Sequence, residues 1–128
     1  MSNLHIDTAE QQTAFEPGAE IEVYLEWDLD EPAEAVELRL VWNTSGKGTT
    51  DVAVVKTVRF DGPSQQESRR TTLTLPLSPY SFSGTLVSLI WALELVALPS
   101  GESARTEITI GPGGEEVVLS AAAAEGDE

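Results

Sequence analysis

Apolar and polar side chains alternate along much of the chain, most regularly between residues 21 and 29. Every second position there is apolar, and the set consists of Ile21, Val23, Leu25, Trp27 and Leu29. Because successive side chains of a β-strand point to opposite faces, the pattern predicts a strand with one buried and one solvated face. Helical geometry would scatter the same residues around the helix axis.

The same alternation recurs in further segments, which we interpret as additional strands. They are 36–42, 52–60, 72–77, 87–95, 104–110 and 117–119, with a possible first strand around Leu4 and Ile6. In segment 52–60 the positions Val52, Val54, Val58 and Phe60 keep the period and Lys56 breaks it. In the first half of 87–95 both faces are apolar, which is typical of a central strand covered on two sides.

Turn-forming sequences separate these segments. Glu16-Pro17-Gly18-Ala19 fits a type II turn, in which glycine supplies the positive φ of the third position. Seven or eight short strands without a helical pattern predict an all-β, immunoglobulin-like antiparallel sandwich of two sheets. The residues expected in its core are Val23, Leu25, Trp27, Leu38, Leu40, Trp42, Leu73, Leu75, Leu89, Trp91, Leu93 and Ile108.

The length of 128 residues favours one domain, which we place at 1–119 and follow with an acidic, flexible tail at 120–128. The chain has 7 basic and 22 acidic residues, a net charge of -15, so nucleic acids and anionic membranes would repel it. It has no cysteine and one histidine, which excludes disulfides, thiolate metal sites and sites with two imidazoles in one chain. No signal peptide or membrane span is visible, so we expect a cytoplasmic protein. We also expect no cofactor.

Residues 73–95 read LTLPLSPYSFSGTLVSLIWALEL, which is a strand ending in Leu-Pro, a Ser-Pro-Tyr-Ser-Phe bend and a long apolar strand. Together with the FEPGAEI run at 15–21, this resembles the arrestin-like amino-terminal sandwich domain. Relatives include arrestins, retromer cargo-binding subunits and bacterial sporulation-control proteins. The resemblance covers residues 4–119 and implies a protein-binding or scaffolding module without catalysis.

The chain departs from the arrestins in two respects. Arrestins have two such sandwiches in tandem, whereas this chain has room for one. The basic residues with which arrestins engage phosphorylated tails have no visible counterpart here, so phosphate sensing is not carried over.

Four carboxylates cluster at the end of the first regular strand and in the loop after it: Asp28, Asp30, Glu31 and Glu34. Calcium prefers about six to eight oxygen ligands, which acidic loops supply. The Asp-x-Asp-x-Asp-Gly spacing and its distal glutamate are missing, so this motif is a weak candidate for a metal site. We favour the alternative of a solvated acidic turn.

Three further features of the sequence suggest specific chemistry. The loop 44–50 has a glycine-rich run around Lys47, but Gly48 and another strand follow where a phosphate-binding loop needs Ser or Thr and a helix. We interpret it as a flexible hairpin loop that could contact a partner. His5 could act as a general base, yet it lies near the terminus and no Gly-x-Ser-x-Gly elbow is present. We interpret it as a surface histidine.

Glu22, Glu26 and Asp28 share the outward face of the first regular strand, with Tyr24 between them. Paired carboxylates can hydrolyse glycosides, and an exposed tyrosine can stack on a sugar. The same pattern is expected of any half-exposed strand. The three tryptophans fall on predicted inward faces, so we assign them to the core.

Charge is unevenly distributed along the sequence. Eleven acidic residues lie between Asp7 and Glu37, and five of the seven basic ones lie between Lys47 and Arg70. If these segments occupied different sheets, the molecule would have a strong dipole that could steer a partner or pair two copies. The exposed strand edges of a lone sandwich also make a homodimer plausible.

The sequence therefore predicts a non-enzymatic cytoplasmic adaptor or scaffold that binds another protein through a sheet edge or its loops. The alternative is a small-ligand module that binds calcium or carbohydrate through the acidic loop 28–34. A hydrolase is the third hypothesis, and it is disfavoured by the single histidine and the absence of cysteine.

Overall fold

The computed structural model describes residues 2–46, 51–84 and 87–119. Within these ranges the chain forms ten strands and two short 3-10 turns, at Ala9–Gln11 and Pro112–Gly114. The strands are β1 (Asn3–Thr8), β2 (Ala14–Phe15), β3 (Glu20–Asp28), β4 (Ala35–Gly46), β5 (Val52–Asp61), β6 (Gln66–Thr74), β7 (Phe82–Gly84), β8 (Val87–Leu98), β9 (Ser103–Ile110) and β10 (Val117–Leu119). The predicted tail 120–128 and the part of the glycine-rich loop around Lys47 lie outside the described residues.

The strands form two sheets, which confirms the all-β sandwich. The smaller sheet has the order β1-β3-β6 and is antiparallel throughout. In the larger sheet, β8 pairs with β4 along one edge, and with β9 and β7 along the other. The strand β5 follows β4, while the short strands β2 and β10 add parallel pairs to β9 and β7. The prediction of a central position for β8 is confirmed.

The core lies between the two sheets and contains the inward-facing side chains of both. The alternating set on β3 is buried as predicted, and Leu29 just beyond the strand continues it. The same holds for the predicted core residues of the other strands, except that Trp42 is half-buried and packs at the margin of the core. Each fully buried leucine, isoleucine or valine contributes roughly 1.5–3 kcal/mol to folding relative to exposure.

Polar atoms of the buried tryptophans find partners in the loops. The indole N–H of Trp27 donates to the Ser64 carbonyl, and that of Trp91 donates to the Pro79 carbonyl, both at 2.9 Å. A buried N–H without an acceptor would destabilise the fold, so these two bonds fix the loops before β6 and β7 against the core.

The β5 strand departs from the predicted pattern. The β4–β5 register shifts at Leu40 and Val41, because Val55 is an extra residue on β5 that forms a bulge. A bulge reverses which side chains face inward. Val58 lies opposite Leu38 on the core side, whereas Val54 lies opposite Val41 on the outer side. The assignment of Val52 and Val54 to the same face as Val58 and Phe60 is therefore wrong.

The β6 strand begins earlier than predicted and ends at Thr74, so Leu77 lies beyond it with 73 % of its surface exposed. Its register against β3 places Glu67 opposite Trp27 and Arg69 opposite Leu25, on the core-facing side. Charged side chains fit there because β6 borders the opening between the edges of the two sheets, beside β5. We call this opening the open side of the sandwich. Inward-pointing charges of this kind discourage pairing along a sheet edge.

The predicted turn at 16–19 is confirmed. The Ala19 N–H donates to the Glu16 carbonyl at 3.2 Å, and Gly18 has a φ of 79°. A Cβ atom at Gly18 would lie 2.8 Å from the Leu77 Cδ2 atom, so both backbone and space favour glycine here.

Candidate binding surfaces

The acidic loop after β3 does not gather its carboxylates. Asp28 is the last residue of β3 and lies opposite Asn3 and Gln66 in the sheet, whereas Asp30, Glu31 and Glu34 are exposed along the loop. Among the described residues, no group of three or more His, Asp or Glu side chains is placed to hold a metal ion. The geometry therefore adds no support to a calcium site at 28–34.

Backbone contacts hold that loop against its neighbours. The amide side chain of Gln65 donates to the Leu29 carbonyl at 2.8 Å and to the Asp30 carbonyl at 3.0 Å. The Glu34 N–H donates to the Leu98 carbonyl at 2.8 Å. These bonds tie the loop to the ends of β6 and β8, so its arrangement serves the fold.

The outer face of the smaller sheet is the second candidate surface. Glu22, Tyr24 and Glu26 of β3 point to this face as predicted, and the Tyr24 hydroxyl donates to the Glu22 carboxylate at 2.6 Å. That hydrogen bond, with a smaller effect of desolvation, raises the pKa of Tyr24. The Arg70 Nε atom lies 3.6 Å from the Glu22 Oε2 atom on the other side. The tyrosine hydroxyl is thus engaged within the sheet.

A shallow groove of about 590 Å³ runs across this face between β1 and β6. His5, Glu26 and Ser68 lie in one row across the three strands, in that order. Neighbouring strands are about 4.8 Å apart, so His5 and Ser68 are separated by about 10 Å with Glu26 between them. A catalytic triad instead needs the histidine between the nucleophile and the carboxylate. The His5 Nε2 atom lies 2.8 Å from the Asp7 Oδ2 atom.

The acidic and basic segments are interleaved rather than separated. Glu37 of β4 accepts hydrogen bonds from Arg39 at 2.8 Å and from Arg59 of β5 at 2.9 Å. These two hydrogen bonds lower the pKa of Glu37. With Arg70 beside Glu22 in the smaller sheet, both sheets contain oppositely charged pairs. The strong dipole expected for segregated charges is therefore not formed by these residues.

The free edge of β5 is the third candidate surface. Among the described strands, β5 pairs with β4 alone. Three of its side chains are large, apolar and exposed: Val52 at 67 %, Val54 at 54 % and Val55 at 39 %. We call these three residues of the unpaired edge the valine edge. Exposed apolar side chains on an unpaired strand are typical of sites where another chain adds a strand.

The backbone of the valine edge is oriented for such pairing. Thr44 lies opposite Asp51, and its N–H donates to the Asp51 carbonyl at 2.9 Å. Because hydrogen-bonded and non-hydrogen-bonded pairs alternate along an antiparallel ladder, Ala53 bonds to β4 while Val52 and Val54 do not. The N–H and C=O groups of Val52 and Val54 therefore point away from β4, toward the open edge.

The outer surface beside the valine edge is apolar. Val54 lies next to Val41 of β4, which in turn lies next to Ala92 of β8; Val41 and Ala92 are buried although they face away from the core. Arg105 of β9 crosses β8 to reach Asn43 at 2.6 Å and also bonds Glu94 at 2.7 Å. The valine edge thus continues an apolar strip on the outer face of the larger sheet. The Arg105 side chain crosses the part of this strip that lies farther from β5.

The valine edge was not predicted from the sequence, because the alternation places Val52 and Val54 on the same face as Val58 and Phe60. The available signal was the interruption of the apolar alternation at Lys56, since a charged residue at an inward position often accompanies a bulge on an edge strand.

The structural comparison supports the arrestin-like fold. The chain is similar to Spo0M, a sporulation control protein from Bacillus subtilis, with a TM-score of 0.60 and 19 % sequence identity over 87 % of this chain. A structural-genomics target is 16 % identical over 91 % of this chain, but its TM-score of 0.23 is too low to support any argument. This chain spans about half of the Spo0M chain, 49 %.

The sequence comparisons give no family. No protein-family model matches the chain, and no curated protein matches it. The described part of the chain also contains no helix with the length and apolar character needed to cross a bilayer.

Proposed function

We propose that this protein is a non-enzymatic adaptor that binds another protein by accepting one of its strands at the valine edge. The observation that carries the proposal is the combination of outward-facing backbone groups at Val52 and Val54 with exposed apolar side chains on the same residues. An extended polypeptide satisfies both at once, because its backbone continues the ladder while its side chains cover the valines.

The charge balance is consistent with a protein partner. With a net charge of -15, nucleic acids and anionic lipid surfaces would be repelled. The similarity of fold to a sporulation control protein is in line with a regulatory or adaptor role. We place this role in the cytoplasm and assign it to one domain at 1–119, with 120–128 as a flexible acidic tail.

The proposal is tested by two substitutions at one position. Val54→Pro removes the outward-facing N–H, whereas Val54→Thr keeps it with a side chain of similar shape. Tagged wild-type and variant proteins are used to capture partners from the native cell extract, and the captured proteins are identified by mass spectrometry.

We expect a protein that the wild type and Val54→Thr retain and that Val54→Pro loses. A partner retained equally by all three proteins would contradict docking at this edge. Circular dichroism of the variants verifies that each remains folded.

A further inference from the structure

We infer that the strand accepted at the valine edge carries a carboxylate beside Lys56 and β-branched apolar side chains beside Val52 and Val54. This inference rests on the proposed function and adds the chemistry by which the edge selects its partner. It follows from the charge at Lys56 and from the faces of the β5 side chains.

Lys56 differs from the other described cations. Every arginine of the chain has a carboxylate oxygen within 4 Å: Arg39, Arg59, Arg69, Arg70 and Arg105. Lys56 forms no ion pair with a described residue, and its ammonium group donates to the Thr74 carbonyl of β6. An ammonium group has three N–H donors, so further donors remain for an incoming carboxylate.

The bulge at Val55 sets the pattern of the incoming strand. Lys56 lies opposite Leu40 on the core-facing side, whereas Val54 lies opposite Val41 on the outer side. Side chains of an added strand lie on the same faces as the β5 side chains beside them. Its residues beside the valines thus face the outer apolar strip, and the residue beside Lys56 faces the open side of the sandwich.

Stacked side chains fill the rest of the open side. The rings of Trp27 and Phe60 have centroids 6.0 Å apart, and the guanidinium carbon of Arg69 lies 5.3 Å from the Phe60 centroid. Arg69 is also paired with Glu67. Among the described cations, Lys56 is therefore the one at this opening that a partner carboxylate can neutralise without displacing an existing ion pair.

A second copy of this chain is a poorer occupant. Its own β5 carries one carboxylate, at Asp61, which Arg59 already holds at 2.7 Å. Two copies would also bring together net charges of -15 each. A segment with a single carboxylate among uncharged residues avoids this repulsion, because charges beyond about 8 Å are screened at physiological salt while a contact pair is screened much less.

The test uses two blocked synthetic peptides of about eight residues, alternating valine and threonine, with either Glu or Gln at the position beside Lys56. Binding to the full chain is measured by fluorescence anisotropy. We expect the Glu peptide to bind about three- to fivefold more tightly than the Gln peptide. Lys56→Met should abolish this preference. Arg59→Met, which removes a cation of the same strand that is already paired, should leave it unchanged.

The outcomes separate the two proposals. Equal binding of both peptides to the wild type, with loss of both in Val54→Pro, would overturn the role of Lys56 and leave docking at the valine edge intact. A Glu preference that persists in Lys56→Met would also overturn it. If neither peptide binds, strand docking at this edge is wrong and both proposals fall.

Discussion

The buried tryptophans join the core to the loops through single hydrogen bonds. Trp91 is fully buried on the central strand β8 and reaches the Pro79 carbonyl, while Trp27 reaches Ser64 at the opposite loop. Each side chain therefore combines a large apolar surface with one specific polar contact, and each is sensitive to substitution for two separate reasons.

Replacing Trp91 with phenylalanine should lower the free energy of unfolding by about 2–4 kcal/mol, because it leaves a cavity and removes the donor to Pro79. Urea denaturation monitored by circular dichroism measures this loss. Trp42→Phe is the matched control: Trp42 is half-buried, and we expect a loss below about 1.5 kcal/mol. Similar losses at the two positions would contradict the assignment of Trp91 to the centre of the core.

The Glu37 carboxyl should make stability depend on pH. Hydrogen bonds from Arg39 and Arg59 lower its pKa below the ordinary value of 4.5. A carboxyl whose pKa is lower in the folded state stabilises the fold above its unfolded pKa and loses that contribution as pH falls through the folded pKa. The contribution is thus complete above about pH 5 and declines below pH 4.5.

We therefore expect Glu37→Gln to reduce the free energy of unfolding at neutral pH and to have a smaller effect at about pH 3. Urea titrations of both proteins at the two pH values provide the measurement. A difference that is the same at both pH values would show that Glu37 acts through packing rather than through its charge.

Individual core residues were largely predictable from the sequence, because alternation over a regular strand leaves one assignment of faces. Trp42 was the exception, since it lies opposite Ala53 at the start of β5, beyond the bulge, and packs at the margin of the core. Partners of single side chains, such as Ser64 for Trp27, were not predictable because they depend on loops distant in sequence.

The structure differs from the sequence-based prediction mainly in its edge strands. In β5 the bulge at Val55 turns two valines outward, and in β6 the inward positions hold Glu67 and Arg69. Both strands border the open side, where an inward side chain keeps contact with solvent. Polar residues are tolerated there, so the alternation of apolar and polar residues no longer marks the buried face. The start of β6 was therefore not predicted.

The orientation of the β5 backbone can be tested without any partner. Ala53→Pro would remove an N–H that bonds to β4, whereas Val54→Pro removes one that faces the open edge. We expect Ala53→Pro to destabilise the chain by about 3 kcal/mol or more and Val54→Pro by about 1 kcal/mol. Thermal unfolding of the two variants compares them. The reverse order would show that the assigned ladder is out of phase.

In the described residues, two sheets enclose the core, and the edge strands β5 and β6 border the open side between them. Beyond β8, the larger sheet continues into β9, β7 and the short strands, while β5 ends it on the other side. The overall architecture was predictable from strand number and turn spacing. Binding through a sheet edge or loops was predicted, but the valine edge itself was not identified, because it arises from a bulge and from which strands lie at the edges, and both are properties of the assembled sheets.

Hydrogen exchange of single backbone amides tests whether the valine edge accepts a strand. In the free protein we expect the amides of Val52 and Val54 to exchange much faster than that of Ala53, which is bonded to β4. On addition of the Glu-containing strand peptide, exchange at Val52 and Val54 should slow at least about tenfold. Protection that appears instead on the outer face of the smaller sheet, with Val52 and Val54 unchanged, would contradict strand docking at the valine edge.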